Sequence, residues 1–260
     1  MAVIPIAAFS DNYLWLIIDA DAPEQARYAA IVDPGDARPV AAMLDCHGIT
    51  LAAMLITHHH FDHTSGIKAL LARGNNIPVY GPAGEIIPAM THPLRDGDNI
   101  ELPHGLGNFR VLEVPGHTAG HIAYYAAPRL FCGDTLFAGG CGRLFEGTAE
   151  QLWRSLNKLA ALPDNTLIYC AHEYTLNNLQ FARVVEPDNL AITRRLAKVE
   201  QLRRDGLPTV PSTLAEEKAT NPFLRCDQDT VARVAEHHAG RPLPDPAAVF
   251  AAVRRWKDQF

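Results

Sequence analysis

A short apolar run, residues 51–56, ends directly in Thr57-His58-His59-His60-Phe61-Asp62-His63, and no other segment restricts the fold as much. An apolar run of this length suits a buried strand. Residues 58–63 hold four histidines and one aspartate, side chains suited to zinc, iron or manganese. The carboxyl end of a buried strand is where α/β architectures place their sites. On an extended segment His58 and His60 point to one side and His59 to the other, so the first two can reach the same ion. Asp62 and His63 lie where the chain turns into the next helix and can serve a second ion. So many ligands in so short a segment point to two adjacent metal ions, and therefore to hydrolytic chemistry.

Two ions with open positions need roughly six to eight protein contacts, more than one segment supplies. Three later segments repeat the strand-end arrangement. Pro115-Gly116-His117-Thr118 places a histidine on a tight turn, Cys132-Gly133-Asp134-Thr135 a carboxylate after a short apolar strand, and Cys170-Ala171-His172-Glu173 a histidine at the end of another. Taken singly each is weak, since a strand-end aspartate often serves a turn or a helix N-cap; their recurrence beside the cluster strengthens the reading.

The chain has 260 residues, enough for one large domain or two smaller ones. Apolar runs and turn signals predict strands at 13–19, 28–33, 51–56, 77–80, 98–102, 109–114, 121–126, 130–133 and 167–170, the four between 98 and 133 antiparallel. Asp19-Ala20-Asp21 and Asp33-Pro34-Gly35-Asp36 read as turns, and helices are expected at 38–47, 65–72 and 148–161. After His172 the pattern changes to helices at 173–184, 189–204, 212–219, 227–238 and 246–256, with no strand alternation. The expected organisation is an α/β domain, residues 1–172, that carries the candidate metal ligands, followed by a smaller all-helical domain, residues 173–260.

The net charge of −6 argues against nucleic acid as a partner. It is unevenly spread: residues 1–189 carry 11 Lys/Arg and 20 Asp/Glu, whereas residues 190–260 carry 12 and 9. The acidic part holds the candidate ligands, and the basic tail suits an anionic ligand. No apolar run approaches the length of a bilayer span, and the first residues lack a basic n-region and a small-residue cleavage site. Five scattered cysteines without a CxxC pair fit free thiols in a reducing cytoplasm. They lack a paired base at recognisable spacing, which argues against a cysteine nucleophile. A monomer without membrane association is expected.

The segment THHHFDH resembles the THxHxDH signature of the metallo-β-lactamase superfamily, and within it the chain is most similar to the glyoxalase II, or hydroxyacylglutathione hydrolase, family. PGHTAGH at 115–121, FCGDTLFAGGCGRLFEGT at 131–148, CAHEYT at 170–175, TNPFLR at 220–225 and VRRWKDQF at 253–260 carry the same resemblance, which runs from Asn12-Tyr13 to the last residue. It implies an αββα sandwich with the site at its edge. It also implies that His58, His60 and His117 hold one metal, that Asp62, His63 and His172 hold the other, and that Asp134 bridges them. Two divalent ions follow, zinc first, iron or manganese otherwise. Glutathione would meet Arg143, Phe145, Tyr174, Arg254 and Lys257. Phe145 stands where some relatives carry tyrosine and lacks its hydroxyl. Arg254 and Lys257 are three apart and share a helix face, so together they can meet the glycine carboxylate.

The activity so implied is hydrolysis of S-(2-hydroxyacyl)glutathione, with S-D-lactoylglutathione the expected substrate in methylglyoxal detoxification. A metal-bridging hydroxide, with Asp62 and Asp134 among its holders, would attack the thioester carbonyl. A thiolate leaves without a dedicated acid, because its conjugate thiol has a pKa of about 8.5. The alternatives are a mononuclear-iron persulfide dioxygenase or another enzyme of the superfamily, and a non-catalytic metal-binding module. Such a module would fill its coordination spheres, mostly with cysteine, whereas seven His/Asp ligands are implied here.

Overall fold

A computed structural model describes residues 1–19, 27–74 and 76–260. Ala20 and Asp21 of the expected Asp19-Ala20-Asp21 turn lie outside the described residues. The chain divides into two compact units. The first comprises residues 1–113 and 120–133, the second residues 114–119 and 134–260.

The first unit opens with strands β1 (Ala2–Ala8) and β2 (Asn12–Ile18), paired antiparallel with Ala8 opposite Asn12. β2 pairs antiparallel with β3 (Tyr28–Val32). Helix α1 (Ala37–Cys46) carries the chain over to β4 (Thr50–Leu55), which lies parallel to β3. Asp36 starts α1 as its N-cap, accepting the Arg38 amide at 2.9 Å. Two short helices follow, α2 (Phe61–Thr64) and α3 (Ile67–Leu71), then parallel strands β5 (Val79–Pro82) and β6 (His92–Leu94). The six strands form one sheet in chain order. β4 is buried along nearly its whole length, as its unbroken apolar sequence requires. Val40 and Leu44 of α1 and Ile67 and Leu70 of α3 pack with Leu14, Leu16, Ile31 and Met54 in one core. Each such side chain contributes on the order of 1.5–3 kcal/mol on burial.

Strands β7 (Asn99–Leu102), β8 (Gly107–Glu113), β9 (Ile122–Ala126) and β10 (Arg129–Gly133) form the antiparallel meander expected between 98 and 133. The Tyr124 hydroxyl donates to the Ile56 carbonyl at 2.8 Å, and the Ile122 amide to the Thr57 carbonyl at 3.0 Å. The meander is thus tied to the end of β4, where the histidine cluster begins.

The second unit contains the small hairpin β11 (Leu136–Phe137) and β12 (Gly140–Cys141), helix α4 (Ala149–Ala160) and strand β13 (Leu167–Cys170). Thr148 and Gln151 close a reciprocal capping box at the start of α4. Helices α5 (Thr175–Val185) and α6 (Leu190–Arg204) come next, then β14 (Ser212–Thr213) and helices α7 (Leu214–Thr220), α8 (Asp229–Ala239) and α9 (Pro246–Gln259). Phe181, Phe223, Phe250 and Trp256 form an aromatic centre with ring separations of 5.5–6.2 Å.

Several expectations change; besides the short strands β6, β11 and β12, which were not expected, three bear on the site and its frame. β1 was not foreseen, because Pro5 interrupts an apolar run; as the edge strand of its sheet it tolerates a residue without an amide donor. The helix expected at 65–72 is the shorter α3, and a separate helix, α2, precedes it and includes Asp62 and His63. Between them Gly66 comes so close to the preceding loop that a Cβ would lie 2.3 Å from the Pro34 carbonyl oxygen. After His172 strand pairing does persist: β14 pairs with β13, Ser212 opposite Ile168. Two residues are too few to show alternation.

Candidate functional site

In the first unit, β4 delivers Thr57 and His58 into the interior, where both are fully buried. The Asp33 carboxylate accepts the Thr57 amide and the Thr57 hydroxyl, each at 2.7 Å. The hydroxyl proton is therefore committed to Asp33, and the Thr57 oxygen can accept from His58 Nδ1 at 3.0 Å. That tautomer leaves a lone pair on His58 Nε2, which lies 3.1 Å from His60 Nδ1. Asp33 also stands 3.1 Å from His63 Nδ1, turning His63 Nε2 to within 3.4 Å of Asp62 Oδ2. Asn12 donates to Asp62 Oδ2 at 3.0 Å. His121, fully buried, stacks on the His58 ring at 4.6 Å. One carboxylate thus orients two candidate ligands, the arrangement that raises ligand basicity in metal sites.

His59 leaves this group. Its amide donates to Glu85 Oε2 at 2.6 Å and its Nδ1 lies 2.9 Å from the same oxygen. Gly35 holds the loop close: a Cβ there would lie 1.7 Å from the Asp62 carbonyl oxygen. Because that neighbour is backbone, Gly35→Ala is expected to destabilise the fold by about 2–3 kcal/mol and to lower metal content. Thermal unfolding and elemental analysis of the purified variant read both effects.

In the second unit, His117 Nδ1 lies 2.8 Å from the Arg143 carbonyl oxygen. A carbonyl only accepts, so Nδ1 carries the proton and Nε2 is the open nitrogen. Asp134 follows β10 and is buried, with Oδ2 3.4 Å from His117 Nε2 and 3.4 Å from His172 Nε2. One carboxylate oxygen midway between two imidazole nitrogens is the geometry of a shared ligand. Gly142 permits it, since a Cβ there would meet the Asp134 carbonyl oxygen at 2.0 Å.

A cavity of about 580 Å³ in this unit is lined by His117, Asp134 and all five candidate substrate residues, Arg143, Phe145, Tyr174, Arg254 and Lys257. Tyr174 stacks on His172 at 4.8 Å, and Phe145 meets His117 edge-on at 5.2 Å. Arg143 is exposed, 3.9 Å from Asp258. Arg254 is only 4% exposed, donating from Nη1 to the Cys141 carbonyl oxygen and from Nη2 to Asp258, each at 3.0 Å. Lys257 meets the Asn177 side-chain oxygen and lies over the Phe181 and Phe260 rings. Burial first, then the Arg254 and Arg143 charges, bring its pKa down to about 8. Three cations facing Asp258 suit a ligand that carries carboxylates.

The donor set fits divalent metal. Ligand atoms within each unit stand 3.1–3.4 Å apart, close to the roughly 3.4 Å edge of a tetrahedron with metal–ligand bonds of about 2.1 Å. Imidazole and carboxylate donors without thiolate suit zinc, iron and manganese alike. Three buried cysteines do not compete. Burial holds Cys141 at about 11 and Cys170 at about 12 and pushes Cys226 up further, far from nucleophilic thiolates. Sequence reasoning missed Asp33, Glu85 and the Arg143 carbonyl. Asp33 was visible only as part of a turn, and a main-chain carbonyl leaves no residue-type signal.

The metallo-beta-lactamase superfamily profile matches residues 24–172, and the profile of the hydroxyacylglutathione hydrolase C-terminus matches residues 173–260. A hydroxyacylglutathione hydrolase of Alkalilimnicola ehrlichii is 58% identical over 257 residues, covering 99% of this chain and 98% of that protein. Among solved structures, ETHE1 from Myxococcus xanthus is 27% identical with a TM-score of 0.66, covering 99% of this chain and 98% of that one. TTHA1623, crystallised in a di-iron-bound form, is 28% identical with a TM-score of 0.53 over 66% of this chain and 92% of its own. An α/β fold with a cluster of candidate His/Asp ligands and a helical C-terminal region, matched along its full length, identifies the chain as a member of the hydroxyacylglutathione hydrolase family within the metallo-beta-lactamase superfamily.

Proposed function

We propose that this chain hydrolyses S-(2-hydroxyacyl)glutathione thioesters, S-D-lactoylglutathione among them, to glutathione and a 2-hydroxy acid, at a site holding two divalent metal ions. His58, His60 and His117 would hold one ion and Asp62, His63 and His172 the other, with Asp134 shared. The observation that carries the reading is the cavity in which His117 and Asp134 share walls with Arg143, Tyr174 and Lys257. A full-length match to hydroxyacylglutathione hydrolases does not favour the dioxygenase or the non-catalytic alternative. Residues 1–172 then form the catalytic part and residues 173–260 the glutathione-binding part.

When bound, such ions polarise a carbonyl and lower the pKa of a coordinated water to near 7. The protein's own residues prepare for that. The Arg143 carbonyl and the Thr57 hydroxyl keep the Nδ1 protons of His117 and His58, so both present Nε2 in the unprotonated form. Tyr174 braces the His172 ring. Lys257 and Arg143 attract the glutathione carboxylates and hold the thioester in place, which lowers the entropic cost of reaction. Deeply buried Arg254 acts by fixing Asp258 and the Cys141 carbonyl beside them.

No helix among the described residues is long and apolar enough to cross a membrane, and the five cysteines are unbridged. Both are compatible with our placing the enzyme in the reducing cytoplasm, where we expect it to act as a monomer. Purified protein is expected to hydrolyse S-D-lactoylglutathione and to contain two metal equivalents. A chelator should abolish turnover, and zinc, iron or manganese restore it. Turnover unaffected by complete metal removal contradicts the proposal.

The Lys257 pKa gives a pH signature. The amine is charged below about 8 and neutral above, so an anionic substrate loses a partner as the pH rises. KM should climb roughly tenfold between pH 7 and pH 9. In Lys257→Arg, whose charge persists, the climb should disappear. A parallel rise in both proteins removes Lys257 from the binding site.

A further inference from the structure

Within the second unit, Asn221 of the segment TNPFLR is fully buried, as is Glu217 one turn earlier on α7. Both side chains grip backbone of the β11–β12 hairpin. Glu217 Oε2 accepts the Gly139 amide at 2.8 Å and Asn221 Nδ2 at 3.1 Å. Asn221 Nδ2 also donates to the Gly140 carbonyl at 2.9 Å and the Phe137 carbonyl at 3.2 Å, the two residues paired across the hairpin. From α5, Asn178 donates to the Ala138 carbonyl at 3.1 Å. Residues 137–140 thus each give a backbone group to a buried side chain. Two strands of two residues cannot fix their own position, since an isolated hairpin is marginal even when longer. The grip is itself anchored: Glu217 Oε1 accepts Arg195 Nη2 at 2.5 Å and the Ser212 hydroxyl at 2.6 Å. A buried ion pair adds little net stability over an apolar replacement, which leaves the hold on the hairpin as the distinct contribution of Glu217.

The hairpin carries candidate site groups at both ends. Asp134 precedes β11 by two residues, and Arg143 follows β12 by two. Both face His117, Asp134 Oδ2 at 3.4 Å from Nε2 and the Arg143 carbonyl at 2.8 Å from Nδ1. The Gly142 amide closes the base on the Thr135 carbonyl at 3.2 Å. We propose that Glu217 and Asn221 are positioning residues, which hold this hairpin where Asp134 and the Arg143 carbonyl meet His117. The inference rests on the metal-site reading above. Metal ligands must keep their distances to within about 0.2 Å, so a hairpin released at its turn loosens the site at its base.

Zinc affinity, read by competition with a chromophoric chelator, tests the role. Asn221→Ala should weaken it at least about tenfold, as loss of a group that orients a ligand does. Glu217→Gln keeps the side-chain volume. Its oxygen turns to the Arg195 guanidinium, because charge-assisted bonds are the stronger, and its amide then confronts the Gly139 N–H. The same loss is expected, and this variant decides the matter should Asn221→Ala not fold. Two controls separate positioning from stability. Ser212→Ala removes a donor from Oε1 and leaves the hairpin side of Glu217 intact; Val231→Ala hollows the buried face of α8. Both should lower Tm yet keep zinc affinity within about twofold of the unchanged protein. A folded Asn221→Ala or Glu217→Gln protein that stays within that range, or an equal loss in the controls, overturns the positioning role. An unchanged protein that takes up no zinc overturns the metal-site reading itself, and the positioning role with it.

Discussion

Replacing Asp134 by asparagine is expected to lower kcat/KM for lactoylglutathione by roughly a thousandfold, corresponding to the several kcal/mol of charge stabilisation that a metal centre supplies. The purified variant should also retain less metal than the unchanged protein. In the structure one oxygen of this carboxylate stands 3.4 Å from an imidazole nitrogen on either side. Asparagine keeps the shape but removes the negative charge, and one of its two terminal groups is an amide that repels a cation. Because Asp134 is buried, water cannot readily replace it. Full metal content with activity within tenfold of the unchanged protein would remove Asp134 from the shared position.

Arg254→Ala should show two effects at once. Its fork donates to the Cys141 carbonyl on β12 and to Asp258 one turn along α9, and its guanidinium lies 5.0 Å from the Phe223 ring centre. Truncation removes a buried, hydrogen-bonded cation and empties the space beside that ring. About 3 kcal/mol of stability should be lost, read as a fall in Tm of roughly 6–12 °C. KM should also rise, because Asp258 and the cavity wall lose their anchor. Sequence alone makes Arg254 and Lys257 equal partners in anion binding; in the structure Lys257 is the more accessible of the two. Lys257→Ala should therefore raise KM with little change in Tm. An Arg254→Ala protein as stable as its parent, with only KM raised, would make Arg254 a direct substrate contact after all.

The candidate ligand motif stands out in the sequence because metal chemistry tolerates few residue types and α/β folds place them at strand ends. Four histidines and an aspartate behind an apolar strand, with His117, Asp134 and His172 behind three more, are readable one residue at a time. So was the departure of His59, since alternation along an extended segment is local. Helices and most strands followed from apolar periodicity, which is also local. The failures were equally physical. Two-residue β14 is shorter than the period that would reveal it, and Pro5 hides β1 because only its edge position makes proline harmless there.

Sequence by itself determined the candidate chemistry and the family: which side chains can bind metal, and that a basic helical tail follows them. Tertiary structure alone decided how each side chain is held. Asp33 reaches Thr57 across 24 positions, the Arg143 carbonyl sets the His117 tautomer across 26, and Arg254 finds the Cys141 carbonyl across 113. Gly35 is required only because the Asp62 carbonyl arrives beside it. A ligand's identity is a property of one residue. Its protonated nitrogen, its orientation and the room it occupies depend on groups distant in the chain, and only folding brings those into contact.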